Sequence, residues 1–204
     1  LLYFGGYSPD GVDLCAEHCD VYLMWPETEQ KLQGLMDEMT NRASDYERLV
    51  QFGLRVHVIV RETEKEARAY ANNLLSKLNL DLGKDIRKRA QDAASLGVAR
   101  QAMLREEADN QHYVEPNLWT GIGLARSGCG AAIVGDPVQV LAKINRYMDM
   151  GIRSFIFSGY PHHQECELFA KYVLPNIKTV SLPEVFRRRP KKTPNSPLGT
   201  GVRK

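Results

Sequence analysis

Residues 53–60 read GLRVHVIV, and the two faces of this stretch decide how the chain folds. The even-numbered residues of this stretch are all apolar. They alternate with Arg55, His57 and Ile59, as residues do along a strand whose two faces have different neighbours. If the even-numbered residues face covering helices, Arg55 and His57 face the interior of a barrel. Burying an arginine side chain costs several kcal/mol of folding stability unless an anion or a carboxylate pairs with it. Two alternatives stay open: a bound anion, or an internal ion pair beside a core histidine.

Three other short apolar runs predict strands, and a helical pattern follows each of the four. These runs are residues 1–4, 20–25 and 153–158. The helical patterns are apolar stripes with spacings of three and four residues. The stripes consist of Val12, Cys15, Ala16 and Cys19; Leu32, Leu35, Met36 and Met39; Ala67, Tyr70, Ala71, Leu74, Leu75 and Leu78; and Cys166, Phe169, Ala170, Val173 and Leu174. About four βα units in a row predict an α/β fold, namely half of a (β/α)8 TIM barrel.

Residues 79–115 interrupt this repeat, because they are charged and helix-prone where a further strand is due. They predict a helical insertion, either a lid over one mouth of the barrel or a solvated excursion. Residues 116–135 follow as a predicted mobile loop in which glycines and small residues surround Arg126. After the strand at 153–158 comes a polar and aromatic run, SGYPHH, that ends at His163. A mobile arginine segment and a polar loop at the end of a strand are typical of barrel active sites.

Two helix starts carry further signals. Asp136 can cap a helix that has Pro137 at its first position and Gly151 at its end. The inward face predicted for this helix consists of Val138, Leu141, Ile144 and Met148. Before the first helical stripe, Gly5 and Gly6 form a turn with Ser8. Its backbone amides and the serine hydroxyl could cradle a phosphate at the helix N-terminus.

Composition predicts one soluble barrel part and a basic tail. The chain has 204 residues, 43% of them hydrophobic, and no apolar run near the ~18 residues that a membrane span needs. Seven of its 27 basic residues follow Glu184, where no acidic residue occurs, so the remainder is net negative. That charge gives no reason to expect nucleic-acid binding. Residues 1–181 are predicted to form the barrel part and residues 182–204 a disordered tail.

The cysteines and the first residue bear on location and completeness. Four cysteines without paired spacing favour a reducing, cytoplasmic compartment and indicate no metal site. Cys15 and Cys19 lie on an apolar stripe and are predicted core residues. The chain begins at Leu1 with neither an initiator methionine nor a signal peptide, so we expect that the first half of a larger protein precedes it.

Several blocks, in the same order, resemble one enzyme family over nearly the whole chain. They are YFGG at 3–6, DVYL at 20–23, RVHVIVRET at 55–63, the segment from Pro116 to Arg126, VGD at 134–136 and SGYPH at 158–162. Together they resemble the C-terminal half of the reduced-FMN-dependent alkanesulfonate monooxygenases, which are bacterial luciferase-like flavin monooxygenases. The shared order of the blocks makes this resemblance specific.

The resemblance implies a reaction and a set of site residues. Such a barrel would use reduced FMN and O2 to convert a small organosulfonate to an aldehyde and sulfite. A separate NAD(P)H-dependent FMN reductase would supply the cofactor, and the enzyme would be a homo-oligomer. The resemblance carries over the catalytic residues Arg55, His57, Arg126 and Tyr160, and the cofactor-binding residues Gly5, Gly6 and Ser8.

Each implied catalytic residue has a side chain that suits a task in this reaction. Arg55 and Arg126 can hold a sulfonate by charge-assisted hydrogen bonds. His57 can relay a proton near neutral pH, and Tyr160 can donate a hydrogen bond to developing negative charge. A loop that closes with Arg126 would keep water out of the site.

The chain also departs from the family pattern. Tyr7 stands where the glycine turn usually has a serine, and Cys129 stands where a small residue is usual. The four N-terminal βα units of the family barrel are missing. The alternatives are therefore a non-catalytic flavin-binding half barrel or assembly module, and a related flavin monooxygenase that acts on a sulfone, an amine or an aldehyde.

Overall fold

The computed structural model describes residues 1–90, 95–125 and 128–180. The predicted tail at 182–204 and Arg126 lie outside the described residues. Among the described residues, no helix has the length and apolar composition needed to cross a membrane.

One sheet of seven strands organises the described chain. Five strands pair in parallel, and β4 and β5 form an antiparallel hairpin that continues the sheet beyond β6. The strands are β1 (Tyr3–Phe4), β2 (Val21–Met24), β3 (Gln51–Val60), β4 (Tyr113–Glu115), β5 (Leu118–Trp119), β6 (Ala132–Gly135) and β7 (Ile152–Ser158).

The helices follow the strands in the order expected of βα units. They are α1 (Pro9–His18), α2 (Glu29–Asp45), α3 (Glu64–Leu75), α4 (Leu80–Ala90), α5 (Leu96–Glu106), α6 (Ile122–Ala125), α7 (Pro137–Asp149) and α8 (His162–Tyr172), with a 3-10 turn at Leu174–Asn176. Each of the four predicted strands is present and is followed by a helix. The predicted α/β half barrel is confirmed.

The strand β3 holds the sheet together, because three other strands pair with it. Residues 51–54 of β3 pair with β2, residues 52–57 with β7, and residues 57–60 with β6. The sheet is strongly curled: the hydroxyl of Tyr3 on β1 lies 3.3 Å from the Oγ atom of Ser154 on β7. That contact crosses β2 and β3 on the concave side, which corresponds to the interior of a barrel.

The main core lies between the convex side of the sheet and the helices α1, α2, α7 and α8. The even-numbered residues of β3 face this core, as predicted. The predicted stripes of α1 and α2 are buried, and Cys15 and Cys19 are core residues. The cluster includes Val12, Cys15, Ala16, Cys19, Leu32, Leu35, Met36, Met39, Leu54, Val56, Val58 and Val60. Ile59 faces the other way and packs in a second cluster with Trp119 and Val134.

The faces predicted for α7 and α8 are wrong in part. In α7, Val138 is 75% exposed, and the buried residues are Val140, Lys143, Ile144 and Tyr147. In α8, Cys166 is exposed, whereas Glu165 is buried. Each buried face includes a charged residue that forms ion pairs. Lys143 pairs with Glu29 and Glu115, and Glu165 pairs with Arg61. A search for apolar side chains alone leaves such residues out.

The segment 116–135 is not one continuous loop. It contains β5, the short helix α6 and β6, and Trp119 is fully buried. The short strands β4, β5 and β6 were absent from the prediction. The hairpin turns at Asn117, whose φ of 64° lies in the left-handed region. The insertion before it forms the helices α4 and α5.

Candidate functional site

The concave side of the sheet carries two of the predicted catalytic residues. In the register of β3 with β7, Arg55 lies opposite Ile156 and His57 lies opposite Ser158. Side chains at such matched positions of parallel strands lie on the same face of the sheet. The alternation in residues 53–60 therefore places Arg55 and His57 on the concave side, next to each other along one strand.

His57 lies in a polar and aromatic setting at the end of the strands. Its side chain is fully buried, and its Nδ1 atom lies 2.9 Å from the Oγ atom of Ser158. The ring centroid of Tyr160 lies 5.6 Å from that of His57, and the ring of His162 lies 4.7 Å from that of Tyr160. The hydroxyl of Tyr70 on α3 donates a hydrogen bond to the Tyr160 carbonyl at 2.9 Å. The structure thus brings His57 and Tyr160 together.

Arg55 is a partly buried cation without a carboxylate partner in the described part of the chain. Its Nε atom is buried and makes no hydrogen bond there. Among the described residues, no ion pair involves its guanidinium, although such pairs form at Arg61, Arg100 and Lys143. Of the two alternatives for Arg55, the internal ion pair is not found among the described residues. The bound anion stays a prediction.

Arg55 and the glycine turn line the same cavity. This cavity has a volume of about 430 Å³ and lies at the C-terminal ends of β1 and β2. One wall is the turn of Gly5, Gly6 and Ser8, and the opposite wall is the start of α5, residues 95–97. Leu23 and Trp25 close the remaining side. The predicted cofactor-binding residues and Arg55 therefore share one space.

The glycine turn is tightly packed. A Cβ atom on Gly6 would lie 2.9 Å from the Phe4 ring, and one on Gly5 would lie 3.0 Å from the Leu23 carbonyl oxygen. A side chain at either position would therefore require its neighbours to shift. The Oγ atom of Ser8 caps α1 by accepting a hydrogen bond from the Gly11 amide at 3.1 Å. The hydroxyl proton of Ser8 is not used in that bond.

Tyr7, which stands where the resemblance predicts a serine, lines the same cavity as the turn. Its hydroxyl accepts a hydrogen bond from the Trp25 amide at 2.7 Å. Burial raises the pKa of Tyr7, so the hydroxyl stays neutral. A Cβ atom on Gly97 would lie 3.0 Å from the Tyr7 ring and 3.3 Å from Trp25. Tyr7 thus joins the end of β2 to α5.

Polar contacts hold α5 over the strand ends. Arg100 donates from its Nε atom to the buried carboxylate of Glu27 at 2.7 Å. The side chain of Gln101 donates to the Pro26 carbonyl and accepts from the Gly130 amide, both at 2.9 Å. This part of the insertion therefore covers the cavity that Arg55 lines.

A residue that follows Arg126 in the predicted mobile loop contacts β3. Cys129 is fully buried, and its thiol donates to the Arg55 carbonyl at 3.2 Å. Because it is packed in this way, Cys129 is a core residue here. Arg126 lies outside the described residues, so its role remains a prediction. Within the described residues, no group of three or more histidine, cysteine or acidic side chains could hold a metal ion.

Some site residues were not found by reasoning from the sequence. Ser158 belongs to the SGYPH stretch at 158–162. Its position opposite His57 depends on the register of β7 with β3, which no local sequence pattern predicts. Trp25 and Ser95 line the cavity although nothing in their sequence neighbourhoods distinguishes them. A second cavity of about 260 Å³ lies between β7 and α8, where Glu165 meets Arg61.

Comparison with known proteins identifies the family. The profile described as "Luciferase-like monooxygenase" matches residues 2–154. The chain belongs to the luciferase-like monooxygenase family. Over 203 residues it is 58% identical to the sulfoquinovose monooxygenase of Agrobacterium fabrum, covering 100% of this chain and 53% of that protein. Over 176 residues it is 59% identical to the sulfoquinovose monooxygenase of Novosphingobium aromaticivorans, covering 86% of this chain and 49% of that protein.

Solved structures of lower identity show the luciferase-like fold. The crystal structure of DmoA from Hyphomicrobium sulfonivorans matches with a TM-score of 0.61 at 18% identity, over 95% of this chain and 43% of that one. The long-chain alkane monooxygenase LadA matches with a TM-score of 0.60 at 16% identity, with the same coverage. This luciferase-like chain spans about half the length of the curated relatives that it matches.

Proposed function

We propose that this chain is one half of a flavin-dependent monooxygenase barrel that removes sulfite from sulfoquinovose or a closely similar sulfonated sugar. The family membership and the names of relatives at 58% and 59% identity support this substrate over a simple alkanesulfonate. The structural observation that carries the proposal is the guanidinium of Arg55, whose buried Nε atom has no hydrogen bond within the described residues, in a cavity shared with the glycine turn. A sulfonate is an anion that such a group binds well.

The proposed reaction balances with O2 and reduced FMN as co-substrates. The C–S bond breaks, sulfur leaves as sulfite, and the carbon becomes an aldehyde. One atom of O2 enters the aldehyde and the other leaves as water, while FMN ends oxidised. Reduced FMN, when bound, supplies the electrons that activate O2.

The residues at the glycine turn fit a phosphate group of FMN. The N-terminus of α1 carries a partial positive charge, which favours an anion. The hydroxyl proton of Ser8 is not used in its cap and can be donated to a phosphate oxygen. Gly5 and Gly6 have no side chains that would block the approach of a ligand to the backbone. These three residues would hold the phosphate.

The other site residues have distinct proposed tasks. Arg55 binds the sulfonate and holds its charge next to His57. His57 transfers a proton during cleavage, and Tyr160 donates a hydrogen bond to the oxygen that gains negative charge. Arg126 belongs to a loop that closes over the substrate and excludes water. The role of Arg126 rests on the resemblance of the sequence blocks alone.

The proposal includes partners and a compartment. A separate NAD(P)H-dependent reductase supplies reduced FMN, and the complete barrel forms a homo-oligomer in the cytoplasm. Within the described residues β1 and β7 each have one side without a paired strand, and this, with the coverage of about half of each relative, supports a second half barrel as a direct partner.

Sulfite release tests the proposal. A complete barrel that includes this chain is incubated with a flavin reductase, NAD(P)H, FMN and either sulfoquinovose or a straight-chain alkanesulfonate. We expect sulfite from sulfoquinovose at a rate well above that from the alkanesulfonate. The reverse order would replace the proposed substrate with an alkanesulfonate. Flavin binding without sulfite from either compound would favour a non-catalytic module.

A further inference from the structure

Ser158 lies within hydrogen-bond distance of the His57 ring. It is the last residue of β7 and lies directly opposite His57 in the parallel register of β3 and β7. Its Oγ atom lies 2.9 Å from the Nδ1 atom of His57, a normal hydrogen-bond distance. Both residues belong to regular strands, so their backbones hold the two side chains in place.

The direction of this hydrogen bond follows from the number of protons available. A serine hydroxyl has one proton to donate, and a neutral imidazole has one nitrogen that donates and one that accepts. In the described part of the chain, the Ser158 hydroxyl has no other hydrogen-bond partner than His57. If the ring donated to Ser158, the serine proton would be left without an acceptor there. A donating serine satisfies both groups, because Nδ1 then accepts.

We propose that Ser158 is a positioning residue that holds His57 in the tautomer with its proton on Nε2. The inference rests on the proposed function, in which His57 transfers a proton. In this tautomer the Nε2–H group is a hydrogen-bond donor, and the proton that His57 gains or loses is on Nδ1, next to the Ser158 hydroxyl. Neither the family match nor the names of the relatives bears on Ser158.

A hydroxyl is suited to this position because it can both donate and accept. When His57 is neutral, Ser158 donates to Nδ1. When His57 is protonated, the same hydroxyl can rotate and accept a hydrogen bond from Nδ1. The ring therefore keeps one orientation in both protonation states. A carboxylate at this position could only accept, and it would favour the charged ring.

Nitrogen-15 NMR of histidine-labelled protein tests the tautomer directly. The sample is the complete barrel that includes this chain, and the His57 signals are identified by their loss in His57→Gln. We expect Nδ1 of His57 to appear as an unprotonated nitrogen and Nε2 as a protonated one. The opposite assignment in the unsubstituted protein would overturn the proposal, even if every Ser158 variant failed to fold.

Substitutions then separate positioning from a merely structural role. In Ser158→Ala we expect the two nitrogen signals to move toward the average of both tautomers, and kcat to fall about 10- to 100-fold with KM within about twofold. Ser158→Thr keeps the hydroxyl and should restore both the signals and kcat. Ser154→Ala is the matched control, because Ser154 lies on the same strand and face but contacts Tyr3.

Two results would separate the failure of this inference from that of the proposed function. Unchanged His57 signals and unchanged kcat in Ser158→Ala would show that serine does not position the ring. No sulfite from the unsubstituted barrel would instead show that the proposed function is wrong. In that case the NMR signals of His57 would still decide which tautomer the ring adopts.

Discussion

Arg55 and Lys143 are two cations that the fold places away from solvent in different ways. Lys143 is only 1% exposed, and its Nζ atom donates to the carboxylates of Glu29 and Glu115. Its charge is satisfied within the protein. Arg55 lines a cavity, and its buried Nε atom has no hydrogen-bond partner among the described residues, so we expect its charge to meet a bound anion. We therefore expect Lys143 to stabilise the fold and Arg55 to bind a ligand.

Substituting each cation should therefore affect different measurements. We expect Arg55→Ala to raise KM for the sulfonate about 10- to 100-fold, the loss that corresponds to a charged hydrogen bond of about 1.5 to 3 kcal/mol. Its free energy of unfolding in urea should change by no more than about 1 to 2 kcal/mol. Lys143→Ala, the control, should lose about 3 to 5 kcal/mol, because the carboxylate of Glu115 loses its cation and that of Glu29 keeps only Arg146. An unfolded Arg55→Ala variant would show that Arg55 has a structural role.

Strand alternation accounts for what could be predicted of the site. It places Arg55 and His57 on one face without knowledge of any other strand, since the side-chain period along a strand is two. Ser158 and Ser95 could not be found in this way. Their positions depend on which strand pairs with β3, in which register, and where the insertion packs. Those are contacts between residues that are far apart in sequence.

At the scale of elements, α5 and α7 start with different caps. The carboxylate of Asp136 accepts from the Gln139 amide at 2.9 Å, and the Gln139 side chain accepts from the Asp136 amide at 3.0 Å. Ser95 occupies the same position in α5, but its side chain makes no capping hydrogen bond. The sequence signal is similar in the two helices, whereas the contact is present in only one.

Removing each cap should show this difference. Asp136→Ala should lower the free energy of unfolding by about 0.5 to 2 kcal/mol, because an amide of the first turn loses its acceptor. Ser95→Ala should change that energy by less than about 0.5 kcal/mol. Urea unfolding followed by circular dichroism measures both. Equal losses in the two variants would mean that Ser95 caps α5 in solution.

A cluster of charges ties α2, β4 and α7 together and should make stability depend on pH. Burial raises the pKa of Glu29, but hydrogen bonds from Lys143 and Arg146 outweigh burial and hold the pKa below its ordinary value of 4.5. The folded protein therefore binds this proton less readily than the unfolded chain. The resulting stabilisation is present above about pH 4.5 and is lost as the pH falls through the lower, folded value.

This dependence can be measured by urea unfolding at a series of pH values. We expect the unsubstituted protein to lose stability as the pH falls below about 4.5. Glu29→Gln should be less stable near pH 7 and should lose less on acidification, since the substituted amide does not titrate. Glu17→Gln, at an exposed position on α1, is the control and should keep the acid dependence. A curve for Glu29→Gln parallel to that of the unsubstituted protein would contradict the argument.

Charged residues on buried helix faces limit what apolar spacing predicts about the helices and strands. The βα order and the faces of α1 and α2 follow from apolar spacing, because those faces are apolar throughout. The face of α7 was misplaced toward Val138 because Lys143 lies at the centre of the true one. The strands β4 and β5 are too short for periodicity to show. The strand β5 is stabilised by pairing with β6, a contact that is not local, and β4 pairs with β5.

The whole molecule is an open, curled sheet. In the described part of the chain, β1 pairs with β2 alone and β7 pairs with β3 alone, so each has one side of unpaired backbone groups. The concave face also exposes apolar side chains: Ile156 is 44% exposed and Tyr3 is 44% exposed. Unpaired strand sides next to apolar surface promote association with other chains.

We expect the 204-residue chain, expressed by itself, to self-associate and to bind FMN weakly. Sedimentation at micromolar concentrations, with and without FMN, measures both properties. Adding the complementary half barrel should yield a soluble complex that binds FMN, because the open strand sides then find partners. A stable, flavin-binding monomer of the chain alone would show that the described sheet is a domain in its own right.

The triple pairing of β3 has a consequence for how the protein opens. A strand bonded to β2, β6 and β7 cannot leave the sheet unless all three contacts are broken. The amide hydrogens of β3 should therefore exchange with solvent only in openings that separate the whole sheet, while those of the end strand β1 exchange through local fraying. Arg55 and His57 are carried by this slowest-exchanging segment. We therefore expect Arg55 and His57 to stay in place until the whole sheet opens.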